Sequence, residues 1–192
     1  MSSLIKQVGI LYQGAKGKRA EWIVDGSPVD AMEASREVDA LVPPLGKIES
    51  FLILTDGTRV TLPFCGIAYR IPDHTGVVAI FEPGQYLNTQ GEDMFPRPHN
   101  AAIFNADGSL RCQVHFVGGS ERNKNLIIER YFTRHINRKP PKHSYGPPGD
   151  LLEVPIVQFG FLIGTKDAPP ESFYVLNCET GELTDGCFSV PY

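Results

Sequence analysis

Five histidines and four cysteines are the residues here best suited to acid–base, nucleophilic or metal chemistry. Their spacing does not assemble them into a motif. His74, His99, His115, His135 and His143 are scattered, and no two sit at the spacing of a zinc-binding helix. Cys65, Cys112, Cys178 and Cys187 include no C-x-x-C pair, so the spacing favours neither a zinc site nor a dense disulfide framework. Reduced, partly buried thiols are expected, and a Cys178–Cys187 bridge would need an oxidising location. Asp73-His74, or Cys112 with His115, suits proton transfer or nucleophilic attack, but such pairs arise by chance in most chains. There is no G-x-S-x-G elbow, and Gly118-Gly119-Ser120 lacks the rest of a phosphate-binding loop. No catalytic residue, metal or cofactor is assigned on this basis.

Charge is more informative than nucleophiles. Residues 118–143 hold seven bases and two acids, whereas residues 144–192 hold seven acids and one lysine. In the basic stretch Arg130, Arg134, Arg138 and Lys139 flank Tyr131 and Phe132, the cation-plus-aromatic mixture that anion or nucleic-acid binding uses. A pI near 5.7 argues against a nucleic-acid domain, and a plain solvated face is the simpler reading. In the acidic third, Asp167, Glu171, Glu179, Glu182 and Asp185 lie among Phe173, Tyr174, Phe188 and Tyr192. Acids around aromatic anchors suit a binder of a basic protein, with ordinary outward strand positions as the alternative.

The elements that must position these residues are mostly strands. A chain of 192 residues with 42% hydrophobic and 21% charged residues suits a single globular domain, and 19 glycines with 16 prolines suit short strands and many turns. Three segments read as hairpins, 51–60 and 102–110 with Asp-Gly turns and 173–183 with Thr-Gly. Further strands are expected at 4–11, 18–24, 76–81, 112–117 and 154–163. Ser27-Pro28 and an acid at Asp30 open one amphipathic helix over 28–41, which Pro43-Pro44 stops. The proline- and glycine-rich segments 83–100 and 138–150 read as long loops, and Pro96-Arg97-Pro98-His99-Asn100 as a rigid connector to the strand at 101. Residues 122–132 fit a strand or one helical face equally well. The expected fold is mainly β (β-rich α+β), an antiparallel sandwich or curved sheet with one helix.

The segments Ala101–Arg111 and Phe173–Leu183 resemble hairpins of small bacterial immunity proteins, the antidotes to polymorphic and type VI secretion toxins. The second also resembles blade hairpins of quinone-binding β-propellers, for which this chain is too short and aperiodic. The immunity resemblance implies a non-enzymatic, acidic cytoplasmic protein that occludes the active site of a cognate toxin, in many cases a basic nuclease. Met1–Gln7 reads as lacking a signal peptide, and no apolar run reaches membrane-span length, so cytoplasmic residence without membrane contact is expected. The alternatives are an enzyme using His74, His99 or His115 beside the 83–100 loop, and a phage or mobile-element structural or nucleic-acid-binding protein.

Overall fold

The computed structural model describes residues 3–25, 28–116, 126–139, 149–165 and 168–189, with side chains described for these except at 28–30, 138, 165, 168–171 and 185–189. Consecutive stretches of sequence build three sheets in turn. The first sheet is antiparallel in the order β2-β1-β3-β4, from β1 (Ile5–Gln13), β2 (Arg19–Asp25), β3 (Gly46–Leu54) and β4 (Arg59–Thr61). The second, also antiparallel, runs in chain order through β5 (Ala68–Arg70), β6 (Gly76–Ile80), β7 (Ala101–Asn105) and β8 (Leu110–Gln113). The third contains β9 (His115–Phe116), β10 (Leu126–Arg138), β11 (Leu151–Thr165), β12 (Ala168–Leu176) and β13 (Glu182–Ser189). Its order is β10-β11-β12-β13-β9, antiparallel except for the β13–β9 pair.

The layers follow from which residues are apolar. Side chains alternate across a strand, so a strand buried on both faces must be apolar throughout. The runs 76–80 and 101–104 meet that condition, and the second sheet is the middle layer. Val77, Ala79, Ala102 and Phe104 pack against Ile5, Val8, Leu52 and Leu54 of the first sheet. From its opposite face Val78, Ala101 and Ile103 pack against Ile128, Phe161, Ile163 and Leu183 of the third. Val114, fully buried, lies between β8 and β9, where the chain crosses from the middle layer to the third. The molecule is therefore a β-rich sandwich of three layers.

All three expected hairpins are present. Gly57, Gly108 and Gly181 adopt φ of 86°, 82° and 77°, the left-handed region that glycine enters without steric cost. Asp56, Asp107 and Asn177 each accept a bond through Oδ1 from the backbone N–H two residues on, at 2.8, 2.9 and 2.9 Å. The helix α1 (Pro28–Asp39) ends two residues before the expected limit and packs beside β2. Of its two apolar stripes, Ala31, Ala34, Val38 and then Leu41 face the protein, while Met32 and Arg36 are exposed. The expected Ser27 cap lies outside the described residues.

The 83–100 loop is irregular, as expected, and aromatic packing anchors it. Phe81 stacks on Tyr86 at 5.4 Å and on Phe95 at 5.1 Å between ring centroids. Of residues 122–132, readable from sequence as helix or strand, 126–132 lie in strand β10, and 122–125 lie outside the described residues.

Candidate protein-binding site

The feature that stands apart from the layered body is the far half of the β10–β11 hairpin. β12 pairs with β11 only from Gly160 to Thr165, whereas β10 accompanies β11 to Ile156 and, past a register shift that leaves Leu152–Pro155 without partners, meets it again at Leu151. Residues 151–159 and their partners in β10, Thr133 to Arg138, therefore form a two-stranded arm, about 20 Å long on the β10 side at roughly 3.3 Å per residue. On β11, Leu151, Val154, Ile156 and Val157 are 67%, 76%, 51% and 43% exposed. A folded domain rarely leaves so much contiguous apolar side chain in water unless something covers it. The arm's other strand is charged. Arg130 and Arg134 occupy the same face as Phe132 and Ile136, because their partners Leu162, Gln158, Gly160 and Ile156 are all even-numbered residues of β11.

The body of β10, from which the arm continues, is held firmly. Asn100, 1% exposed, uses its side-chain amide to donate to the carbonyls of Phe81 at 3.1 Å and Ile128 at 3.2 Å. Its Oδ1 accepts from the Ile128 N–H at 3.2 Å. Three bonds from one buried side chain thus tie β10 to the middle layer. Tyr131 stacks between Tyr69 at 5.7 Å and Phe159 at 6.3 Å, and Phe132 meets Phe173 edge-on at 6.0 Å. Burial pushes the Tyr131 phenol above its ordinary pKa. Gly160 supplies the close approach beneath Phe173, because a Cβ there would strike the Tyr174 carbonyl oxygen.

The sequence-assigned residues fall into separate groups. Glu179 and Glu182 share the turn that joins β12 to β13, and Glu182 Oε2 accepts from the Thr180 hydroxyl at 3.2 Å. This turn follows Leu176, beside the point where the arm leaves the sheet, so both acids stand at the arm's base. Glu171 lies near the start of β12, about 17 Å at roughly 3.3 Å per residue from Leu176, where the strand ends and the turn with Glu179 begins. Asp185 is opposite Tyr174 in register, and Asp167 lies outside the described residues. The four acids among the described residues therefore do not share one end of the sheet. Arg134 belongs to the arm and Arg138 and Lys139 to its end, although the Arg138 side chain is not described, whereas Arg130, opposite Leu162, lies in the body of the sheet. Most of the 138–150 loop, 140–148, is outside the described residues.

Two of the three candidate histidines approach each other. The His99 ring lies 5.8 Å from Phe116, and burial, then the neighbouring His115, lower its pKa below the ordinary imidazole value. His115 Nδ1 lies 3.2 Å from the Gln113 carbonyl, a contact that requires its proton on Nδ1. His74 sits elsewhere, in the β5–β6 turn, with φ 62°. Among the described residues no three His, Cys, Asp or Glu side chains are grouped to hold a metal. A hollow of about 290 Å³ is lined by Ser3, Thr75, Asn105, Asp107 and Arg111. Its arginine is committed to structure, donating to Asn105 Oδ1 at 2.7 Å, Thr75 Oγ1 at 2.8 Å and the Cys178 carbonyl at 3.2 Å. No described helix is long and apolar enough to cross a membrane.

Charge singled out the arm's arginines in the sequence, but not Asn100 or the exposed apolar residues of β11. The signal available for the latter was Leu151–Val157, an apolar run with a proline, which belongs on an edge rather than inside a sheet. No protein-family model, curated protein or solved structure matches this chain.

Proposed function

We propose that this chain is a non-enzymatic protein-binding module that docks through the β10–β11 arm. The observation that carries the reading is the exposure of Leu151, Val154, Ile156 and Val157 on an element whose base is packed by the ring contacts of Tyr131, Phe132 and Phe159. Exposed apolar anchors on a rigid support lose little entropy on binding, which is what a docking element requires. The specific form suggested by the hairpin resemblance is a cytoplasmic, toxin-neutralising immunity protein. In that form the arm would occlude the effector's active-site cleft, and Glu179 and Glu182 at its base would steer a basic effector towards it.

The test is capture from nuclease-treated native lysate by the tagged chain and by the triple variant L151S/V154S/I156S. Recovery of one stoichiometric protein by the parent, and its loss with the variant at unchanged melting temperature, is the expected result. Equal recovery by both proteins overturns the assignment of the arm. Recovery only of nucleic acid, falling steeply with salt, would replace this reading with a phosphate-binding one centred on Arg130 and Arg134.

A further inference from the structure

Two of the four cysteines meet where the middle layer touches the third sheet. Cys112 stands opposite Ile103 in register, so its side chain shares the face of β8 that turns towards the third sheet, and it packs on that core. Cys178 packs on the same core from the turn that joins β12 to β13. The Cys112 Sγ lies 3.8 Å from the carbonyl oxygen of Glu179, the residue after Cys178. Two further bonds fix this turn against β8 and β9. The Arg111 guanidinium donates to the Cys178 carbonyl at 3.2 Å, and the His115 N–H donates to the Gly181 carbonyl at 2.9 Å. Gly181 permits the approach, because a Cβ there would strike the Gln113 carbonyl oxygen and lie 3.1 Å from the Cys112 sulfur.

We propose that Cys112 and Cys178 are an oxidisable pair whose disulfide staples the third sheet to the middle layer. The fold disfavours the other pairings. Nearness in sequence points to Cys178 with Cys187. Yet Leu176 pairs with Leu183, and the Cys178 turn lies beyond that pair on one side while Cys187 lies four residues along β13 on the other. At least about 13 Å of strand, at roughly 3.3 Å per residue, therefore separates them, whereas the Cα atoms of a disulfide stay within about 7 Å. Cys65 follows Phe64 of the first core, and Gln85 donates to its carbonyl at 3.3 Å.

The oxidant is a low-molecular-weight disulfide such as oxidised glutathione. The Cys112 thiolate attacks one of its sulfurs, forming a mixed disulfide and releasing one glutathione as thiolate. The Cys178 thiolate then attacks the Cys112 sulfur, the protein disulfide forms and the second glutathione leaves. Two protein thiols thus give up two electrons and two protons, and the oxidant becomes two thiols. The thiolate is the reacting species, and both groups are held back from it. Burial raises the Cys112 thiol above its ordinary value, against the Arg111 guanidinium. Burial, then the Asp73 carboxylate, with a smaller push from Cys112, raise the Cys178 thiol to about 11, again against Arg111. The pair therefore closes slowly near neutrality and faster in base. Because the link joins residues far apart in sequence, it stabilises mainly by restricting the unfolded chain. In the folded protein it ties the turn with Glu179 and Glu182 to β8.

The test treats the full chain, and a C65S/C187S variant that keeps only this pair, with excess oxidised glutathione, followed by acid quenching and peptide mapping without reduction. In both proteins the 112–178 cross-link should be the main intramolecular disulfide. It should form about tenfold faster at about pH 8 than at about pH 7, because the thiolate fraction grows roughly tenfold per pH unit below the thiol pKa. The closed form should melt at least about 5 °C higher than the reduced one, and dithiothreitol should reverse the shift. A main cross-link through Cys65 or Cys187 in the full chain overturns the proposal. So do thiols of the C65S/C187S variant that persist or stop as glutathione adducts, and so does a closed form that melts no higher than the reduced one.

Discussion

The layered body and the arm use the same strand geometry under opposite rules. In the middle sheet, β6 and β7 are apolar on both faces because a core lies on each side. In the arm, apolar side chains of β11 face water while the neighbouring strand carries the charge. Sequence hydrophobicity is similar in the two places; only the number of covering layers differs. An apolar strand run therefore signals burial by something, and on the reading proposed here the arm's cover is a binding partner.

Substitutions should separate the two regions in order of effect. The largest is F104A in the middle sheet. Phe104 is 1% exposed and touches Phe64 at 4.9 Å between ring centroids, so truncation should cost about 3–5 kcal/mol by denaturant unfolding. At the junction, N100A removes three bonds and leaves the Ile128 N–H buried without its acceptor. A loss of about 2–4 kcal/mol is expected, with faster amide exchange concentrated in β10. G160A drives a methyl into the Tyr174 carbonyl and should cost about 1–3 kcal/mol while loosening the arm against β12.

The pH dependence is smaller. The folded-state pKa of His99 is lowered from 6.5 by burial and by His115, so the unfolded chain takes the proton more readily. Stability from this group is present above pH 6.5 and is lost as pH falls through the folded value. H99Q should flatten the melting-temperature profile below that pH; an unchanged slope would show that another group governs the acid limb. Smallest of all, V154S should leave stability within about 0.5 kcal/mol of the parent, because Val154 is exposed and adds nothing to the core.

How much of this was readable in the sequence depended on whether local chemistry decided the outcome. The Asp-Gly and Thr-Gly turns at 56–57, 107–108 and 180–181 fixed their hairpins through a side-chain oxygen and a glycine, both local. Residues 126–132 were ambiguous for a physical reason. The bulge at Glu129 puts Ile128 and Tyr131 on one face, opposite Ile163 and Phe161, so inward residues are three apart as on a helix. The stacking of three sheets joins residues far apart in sequence and leaves no local mark. In the candidate site, the arm's cations were visible by composition. Its acids were not resolvable into groups, because Glu171 and Glu179 look alike until β12 separates them. Asn100 was hidden in a proline-rich connector, and its importance comes from Ile128, 28 residues away.

The three layers follow one another along the chain: residues 5–61 build the first, 68–113 the second, 115–189 the third. On a ribosome, the first core can close while the final third is still unmade. Until then the far face of the middle sheet, with Val78 and Ile103, has no cover. Vectorial synthesis thus gives this protein a defined interval of exposed apolar sheet, ended only when β10 and β11 emerge. The arm's strands are also the ones whose arrival closes the second core.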